Sequence, residues 1–187
     1  MNENELEKEI AEITLTQGYK TIVDRGDFCG LSRYKWYATV KDGGRRVVAM
    51  RDGRGGEPKS VQMSRQLLNA PHGLIVDHIN HDTLDNRRGN LRIVTASQNS
   101  QNKRRNKAKE SSKFKGVYLF EGKYRPRISI RLAGKTRHIP LGFFDSEEEA
   151  AKIYDQAVRE LFGKYACLNF DSELKTPTVE KSEGKSA

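Results

Sequence analysis

Short stretches rich in apolar and β-branched residues predict that the first third of the chain is built mainly from strands. Tyr19 to Val23 is one such stretch, and two further runs, 35–40 and 45–50, flank the sequence Asp42-Gly43-Gly44. Turn residues of this type between two strand-like runs predict a β-hairpin. The loop 52–58 that follows is rich in glycine and charge and has no apolar anchor, so we expect it to be mobile.

Two short apolar runs that enclose a long polar loop form the most unusual pattern of the chain. Val76 to Ile79 is the first run, Leu91 to Val94 is the second, and residues 80–90 between them are almost entirely polar. Thr95 and Gln98 have the spacing of a capping box, which opens a helix directly after the second run. The predicted order is therefore strand, polar loop, strand and helix.

A period-two alternation from Tyr124 to Leu132 predicts the central strand of a second sheet. The alternation separates a polar face from an apolar face: Arg125, Arg127, Ser129 and Arg131 on one, Pro126, Ile128, Ile130 and Leu132 on the other. Runs at 116–120 and 137–143 predict two flanking strands. Ser146 begins a capping box and opens a helix whose apolar stripe would cover the apolar face, which leaves the arginine face open.

Composition and charge narrow the class of partner. The chain has 187 residues, 35% of them hydrophobic, with a net charge of +9 and a pI near 9.6. This balance predicts a polyanionic partner, for which nucleic acid and an anionic membrane both qualify. We expect no membrane span and no signal peptide. Cys29 and Cys167 lie far apart in the sequence, which argues against a zinc ribbon and favours an intracellular protein with reduced cysteines. Trp36, the single tryptophan, is predicted to lie in the core rather than to stack on a base.

The strand–loop–strand–helix frame carries an acid, an imidazole and two carboxamides at its strand ends and first helical turn. These are Asp77, His78, Asn90 and Asn99. Carboxylate and amide oxygens suit a hard divalent cation, and a histidine accepts a proton from water near neutral pH. The combination suits metal-assisted cleavage of phosphodiesters.

The order Asp77-His78, Asn90-Leu91 and Asn99 resembles the HNH endonuclease family, specifically its asparagine-rich homing-endonuclease branch. The resemblance implies that His78 is the general base, that Asp77 and Asn99 bind Mg²⁺ or Mn²⁺, and that Asn90 orients the imidazole of His78. His81, three residues after His78, is the alternative base. A purely structural hairpin with surface Asp, His and Asn residues is the alternative for the whole motif.

Residues 113–170 resemble the ethylene-response-factor, or APETALA-type, DNA-binding domain. The matching sequences are Lys115-Gly116-Val117, Leu141-Gly142-Phe143-Phe144-Asp145, Glu149-Ala150-Ala151, Tyr154-Asp155 and Leu168-Asn169-Phe170. The resemblance implies binding of double-stranded DNA without fixing a target sequence. The predicted DNA contacts are Lys103, Arg104, Arg105, Lys115, Arg125, Arg127, Arg131 and Arg137. A solubilising basic face is the alternative.

The predicted fold class is α+β, with an N-terminal β-rich region, a ββα-metal HNH module and a three-stranded antiparallel sheet on one helix. The predicted divisions are an arm at 1–13, a nuclease domain at 14–105, a basic linker at 106–112, a DNA-binding domain at 113–170 and a disordered tail at 171–187. The predicted function is that of a site-specific DNA endonuclease acting as a monomer, homing-endonuclease-like. The alternatives are a DNA-binding regulator with a non-catalytic HNH scaffold, and RNA binding, for which an exposed aromatic platform is missing from the predicted surface.

Overall fold

The computed structural model describes residues 9–44, 46–103, 111–132 and 134–170. The predicted tail and most of the predicted arm and linker lie outside these residues. The chain divides into two compact units between Val94 and Thr95, each built from helices and small antiparallel sheets. Among the residues described, no helix combines the length and the apolar content needed to cross a membrane.

In its described residues, the first unit contains three small antiparallel sheets and two short α-helices with the bounds below. The strands are β1 (Ile10–Thr14) with β2 (Lys20–Asp24), then β3 (Tyr37–Lys41), β4 (Arg46–Asp52) and β5 (Ser60–Gln62), and finally β6 (Ile75–His78) with β7 (Leu91–Val94). Helix α1 (Arg25–Leu31) follows β2, and helix α2 (Met63–Leu67) follows β5. The hairpin predicted around Asp42-Gly43-Gly44 is confirmed as the β3–β4 pair.

Trp36 lies at the centre of the first unit, as the sequence predicts. Its side chain is 3% exposed and packs in a cluster that includes Val23, Leu31 and Met63. Its indole Nε1 donates a hydrogen bond to the carbonyl of Leu31 at 2.8 Å, so the polar end of the ring is satisfied inside the core. Leu91 of β7 belongs to the same cluster, which anchors the candidate catalytic hairpin to the core.

The second unit is a three-stranded antiparallel sheet packed on one helix. It begins with α3 (Ala96–Gln101) and continues with β8 (Val117–Phe120), β9 (Lys123–Leu132), β10 (Lys135–Pro140) and α4 (Glu147–Phe162), with β9 at the centre of the sheet. Ile128 of β9 is buried against Tyr154 and Val158 of α4. Both predicted helix starts are confirmed: Thr95 and Gln98 form a capping box, and the Ser146 side chain accepts from the Glu149 N–H.

The loop 52–58 has no apolar anchor but has a polar one that the sequence pattern does not reveal, and its mobility stays a prediction. Arg51 on β4 is 2% exposed, and its guanidinium donates to both carboxylate oxygens of Glu57 at 2.6 and 2.7 Å. The same guanidinium lies over the ring of Tyr34, 4.2 Å from its centroid, and donates to Gln66. A buried charge without its partner is strongly destabilising, so Glu57 ties the loop to the core.

Replacing Glu57 by Gln should lower the thermal unfolding midpoint at neutral pH, because the buried Arg51 guanidinium loses its counter-charge. Hydrogen bonds from Arg51, then from the backbone of Arg54, lower the pKa of Glu57 from 4.5 to about 2. A lowered pKa stabilises the folded state above the unfolded-state pKa. The advantage of the wild type over the variant should therefore shrink below about pH 4.5 and disappear near pH 2. Fluorescence of Trp36 follows the transition.

Glu12→Gln is the matched control for this charge removal. Glu12 pairs with Lys20 at 2.7 Å, and the two side chains are 51% and 44% exposed. Exposed pairs contribute little to stability, so this variant should unfold at nearly the wild-type temperature at every pH. An unchanged midpoint for Glu57→Gln, or a decrease that persists at pH 2, would contradict the anchoring role.

Candidate functional site

The β6–β7 hairpin holds the predicted acid and the predicted base next to each other. β6 ends at His78, and the register pairs Asp77 with Arg92 and His78 with Leu91. Asp77 and His78 are 8% and 5% exposed. The Arg92 guanidinium binds Asp77 Oδ2 through Nη2 at 2.8 Å and through Nε at 2.9 Å. The carboxylate is therefore charge-paired inside the protein.

The polar loop after β6 is held by a buried carboxylate, Asp85, which is 1% exposed. Its two oxygens accept from Arg87 Nε and Nη2 at 2.8 and 2.7 Å, and Oδ2 also accepts from Asn80 Nδ2 at 2.8 Å. Main-chain bonds tie the loop to β2, because Ile22 N donates to Leu84 O and Asn86 N donates to Ile22 O. These bonds therefore fix the backbone of the loop that follows His78 in one conformation.

The imidazole of His78 contacts a side chain that the sequence pattern does not single out. His78 Nε2 lies 3.3 Å from Oδ1 of Asn86, which is 2% exposed. Burial lowers the pKa of His78, and the hydrogen bond to Asn86 and the charge of Asp77 oppose this shift without cancelling it. A lowered pKa keeps the imidazole neutral near pH 7, which is the protonation state a general base needs.

Both ends of the Asn90 side chain bind the backbone of the polar loop, and its predicted role in orienting the imidazole of His78 stays a prediction. Its side-chain Oδ1 accepts from the backbone N–H of Asn80 at 3.0 Å, and its Nδ2 donates to the backbone carbonyl of Asp85 at 2.8 Å. An asparagine can satisfy two backbone groups in this way because its amide carries both an acceptor and donors. Asn90 therefore closes the loop that begins two residues after His78.

Asn99 lies on α3, which belongs to the second unit, and its side chain is half-buried. Among the predicted DNA contacts that follow, Lys103 is exposed, whereas Arg104 and Arg105 lie outside the described residues. The structure assigns Asn99 to the helix predicted for it, and its part in binding an ion stays a prediction.

The donor chemistry of the candidate site fits a hard divalent cation. The predicted ligands are a carboxylate, Asp77, and an amide oxygen, Asn99, and neither described cysteine lies near them in the sequence. Within the described ranges, no group of three or more His, Cys, Asp or Glu side chains could hold a metal ion. Magnesium is commonly bound by one or two protein oxygens, with waters and phosphate oxygens as further ligands, so a sparse donor set is compatible with it.

The basic face of the second unit combines guanidinium groups with aromatic rings. The Arg127 guanidinium lies 4.3 Å from the centroid of the Tyr118 ring, and that of Arg125 lies 5.3 Å from the centroid of Phe143. Within the part of the chain that the structure describes, neither guanidinium forms an ion pair or a hydrogen bond through Nε. Phe143 is also 54% exposed, so this face is not purely charged. Guanidinium groups and aromatic rings therefore lie together here, and the expected lack of an aromatic platform for single-stranded bases stays a prediction.

Two of the predicted DNA contacts, Arg137 and Lys115, have surroundings that differ from those of the three β9 arginines. The register pairs Arg137 with Ile130 and Thr136 with Arg131, so Arg137 lies on the sheet face opposite Arg131. The Lys115 ammonium donates to the carbonyl of Gln101 at 2.8 Å, within the second unit. Arg125, Arg127 and Arg131 do share one face, as their spacing predicts.

The residues that support His78 do not stand out in the sequence pattern. Asn80, Asp85, Asn86 and Arg87 are conspicuous only as part of a polar loop, and Thr21 lies 65 positions before Asn86. The one available signal is that residues 80–90, nine of them polar or charged, exceed what a turn between two four-residue strands needs. An over-long polar loop of this kind indicates an internal hydrogen-bond network.

Parts of the chain are similar to plant proteins. A 65-residue stretch, 34% of this chain, is 45% identical to APETALA2-like protein 2 of Oryza sativa subsp. indica and covers 14% of that protein. A 113-residue stretch, 59% of this chain, is 31% identical to the ethylene-responsive transcription factor ERF069 of Arabidopsis thaliana and covers 69% of it. No solved structure gives a significant match to the chain.

The hairpin, its loop and α3 lie within residues 69–101, which match the family model described as HNH endonuclease. An uncharacterised HNH endonuclease of Acanthamoeba polyphaga mimivirus is 32% identical over 152 residues, which cover 74% of this chain and 68% of the viral protein. The similarity thus extends well beyond the matched motif and includes most of both chains. The chain belongs to the HNH endonuclease family.

Proposed function

We propose that this protein is a DNA endonuclease that hydrolyses phosphodiester bonds, with His78 as the general base. The observation that carries the proposal is a buried imidazole directly after Asp77 in the sequence, at the end of β6 and inside the family-matched segment. His81 is the less favoured base, because it lies in the loop with a positive φ of 68°. His78 instead lies at the end of β6, and its Nε2 is 3.3 Å from Asn86 Oδ1.

In the proposed reaction, His78 removes a proton from water as the water oxygen forms a bond to phosphorus. The bond from phosphorus to the departing sugar oxygen breaks, and that oxygen ends protonated. A positioned base of this kind contributes about two to four orders of magnitude to the rate. Asn90 serves the reaction indirectly, because it fixes the backbone of the loop that follows His78.

A divalent cation, Mg²⁺ or Mn²⁺, would polarise the phosphate and stabilise the leaving oxygen when bound. We propose that Asp77 and Asn99 provide its protein ligands, because their oxygens are the donors that such ions prefer. Arg92 pairs with Oδ2 of Asp77 and so helps to hold this carboxylate in position.

We propose that the second unit binds double-stranded DNA and directs cleavage to particular sequences, in the manner of a homing endonuclease. The support is the β9 arginine face together with the similarity to plant proteins whose names include a transcription factor. Arg127 is the favoured base-reading residue because it lies at the centre of the face. Lys103 and the basic positions around it are the favoured phosphate contacts.

A DNA-binding regulator with a non-catalytic HNH scaffold is the second candidate. The observation that favours it is the ion pair between Arg92 and Asp77, which engages the carboxylate proposed to bind the cation. In that case the hairpin is retained for its hydrogen-bond network, and the protein binds DNA without cutting it.

His78→Ala should reduce the cleavage rate by at least about two orders of magnitude, because the water loses its proton acceptor. DNA affinity should stay nearly unchanged, because the imidazole is buried and binds no phosphate in this scheme. Cleavage of labelled DNA under single-turnover conditions measures the rate, and a binding titration measures the affinity.

His72→Ala and His81→Ala are the comparison variants for this test. His72 is exposed and lies outside the hairpin, so its loss should leave cleavage intact. A His78→Ala protein that still cuts well, together with an inactive His81→Ala protein, would overturn the choice of base. Binding without cleavage by the wild type itself would favour the regulator.

Asn99→Ala should raise the Mg²⁺ concentration needed for half-maximal cleavage, because one oxygen ligand is lost. Ser100→Ala, at the exposed neighbouring position on α3, is the matched control and should leave the requirement unchanged. A titration of activity with MgCl₂ and MnCl₂ provides the comparison. A zinc ion that survives purification, with activity indifferent to added magnesium, would show that the oxygen-ligand assignment is wrong.

Arg127→Ala should cost about 1–3 kcal/mol of specific binding and relax the preference at one base position. Lys103→Ala should instead weaken binding to all DNA sequences alike. It should also reduce the slope of the logarithm of the binding constant against the logarithm of the salt concentration by about one unit. Binding to a randomised DNA pool, followed by salt titrations, separates the two effects.

Arg137→Ala is the control for which face of the sheet binds. It removes the same charge as Arg127→Ala but from the opposite face. Equal losses from the two variants would mean that the arginine face does not read DNA, and that net charge alone drives binding.

A further inference from the structure

A chain of buried hydrogen bonds leads from the β2 strand to the imidazole of His78. Thr21 Oγ1 donates to the carbonyl of Leu84 at 2.6 Å, and Asn86 Nδ2 donates to Thr21 Oγ1 at 2.8 Å. Asn86 Oδ1 then lies 3.3 Å from His78 Nε2. Thr21 is fully buried and Asn86 is 2% exposed, so water does not compete with these bonds.

The direction of every bond in this chain follows from the chemistry of its first acceptor. A backbone carbonyl only accepts, so the single hydroxyl proton of Thr21 points to Leu84. The Thr21 oxygen can then only accept from Asn86, which fixes the amide with its NH₂ group towards Thr21 and its carbonyl oxygen towards His78. A carbonyl oxygen cannot donate, so His78 Nε2 carries the proton in this pair.

We propose that Thr21 and Asn86 are positioning residues that hold neutral His78 in its Nε2–H tautomer, so that Nδ1 is the atom that accepts the proton from water. The inference rests on the proposed role of His78 as general base. It assigns a task to the β2 strand, which lies outside the family-matched residues 69–101. A tautomer fixed by a hydrogen bond to the other ring nitrogen is a general requirement for a histidine base.

The test uses the full-length protein with nitrogen-labelled histidine at about pH 8, above the ordinary histidine pKa of about 6.5. The nitrogen chemical shifts distinguish the two tautomers, and the His78→Gln protein identifies which of the four histidine signals belong to His78. We expect an Nε2–H tautomer in the wild type. A wild-type His78 that carries its proton on Nδ1 would overturn the proposal.

Thr21→Val and Thr21→Ser separate the hydrogen bond from packing. Valine keeps the shape of threonine but removes the acceptor of the Asn86 amide, which can then turn and present NH₂ to the ring. We expect a mixed or reversed tautomer and a cleavage rate lower by about tenfold or more. Serine keeps the hydroxyl and should restore both the tautomer and the rate. A Thr21→Val protein that keeps the wild-type tautomer would contradict the proposed role of the hydrogen bonds from Thr21 through Asn86 to His78.

Thr83→Val is the control for a general loss of stability. Its hydroxyl also donates to a backbone carbonyl, that of Val47, at 2.6 Å, but it is not connected to the imidazole. The Thr83→Val substitution should lower the unfolding midpoint but leave the His78 tautomer and the cleavage rate unchanged. A changed tautomer in this variant would contradict the proposed role of Thr21 and Asn86. A wild-type protein that has the expected tautomer but cuts no DNA would contradict the proposed function, but not the proposal that Thr21 and Asn86 fix the tautomer of His78.

Discussion

The buried carboxylate of Asp85 is the interaction on which the candidate catalytic frame depends. It is paired with Arg87 through two hydrogen bonds and also accepts from Asn80. The attraction within a buried ion pair is largely cancelled by the cost of removing both charges from water. The main contribution of this pair is therefore to fix the loop in one conformation, rather than to add net stability. That path places Asn86 beside His78 and brings Asn90 back to the backbone of Asn80.

The same loop joins the HNH hairpin to the N-terminal strands. Asp85 forms an isolated bridge with Ile22 on β2, and Arg88 binds Asp27 on α1 through two hydrogen bonds of 2.8 Å. Residues far apart in the sequence therefore support one short hairpin, and the core residue Leu91 fixes its second strand. The family motif supplies the chemistry, and the first β-strands supply part of its rigidity.

The features that depend on local sequence were predictable, and those that depend on burial or register were not. The hairpin around Gly43, the helix caps at Thr95 and Ser146, and the alternating faces of β9 are all confirmed, because turn chemistry, capping and periodicity act over a few residues. The Asp85 network was missed, because a polar loop in sequence gives no sign of which side chains become buried. The position of Arg137 follows from the pairing of Leu132 with Lys135, a register that alternation within one strand cannot give.

Cleavage of duplex DNA in heavy-oxygen water tests the central claim most directly, because hydrolysis by a water activated at His78 must transfer one oxygen atom from solvent to phosphorus. With magnesium present, the wild-type protein should produce fragments whose terminal phosphate carries one heavy oxygen, and a chelator should abolish the product. Intact DNA under all conditions, or fragments without solvent oxygen on their phosphate, would contradict a hydrolytic nuclease.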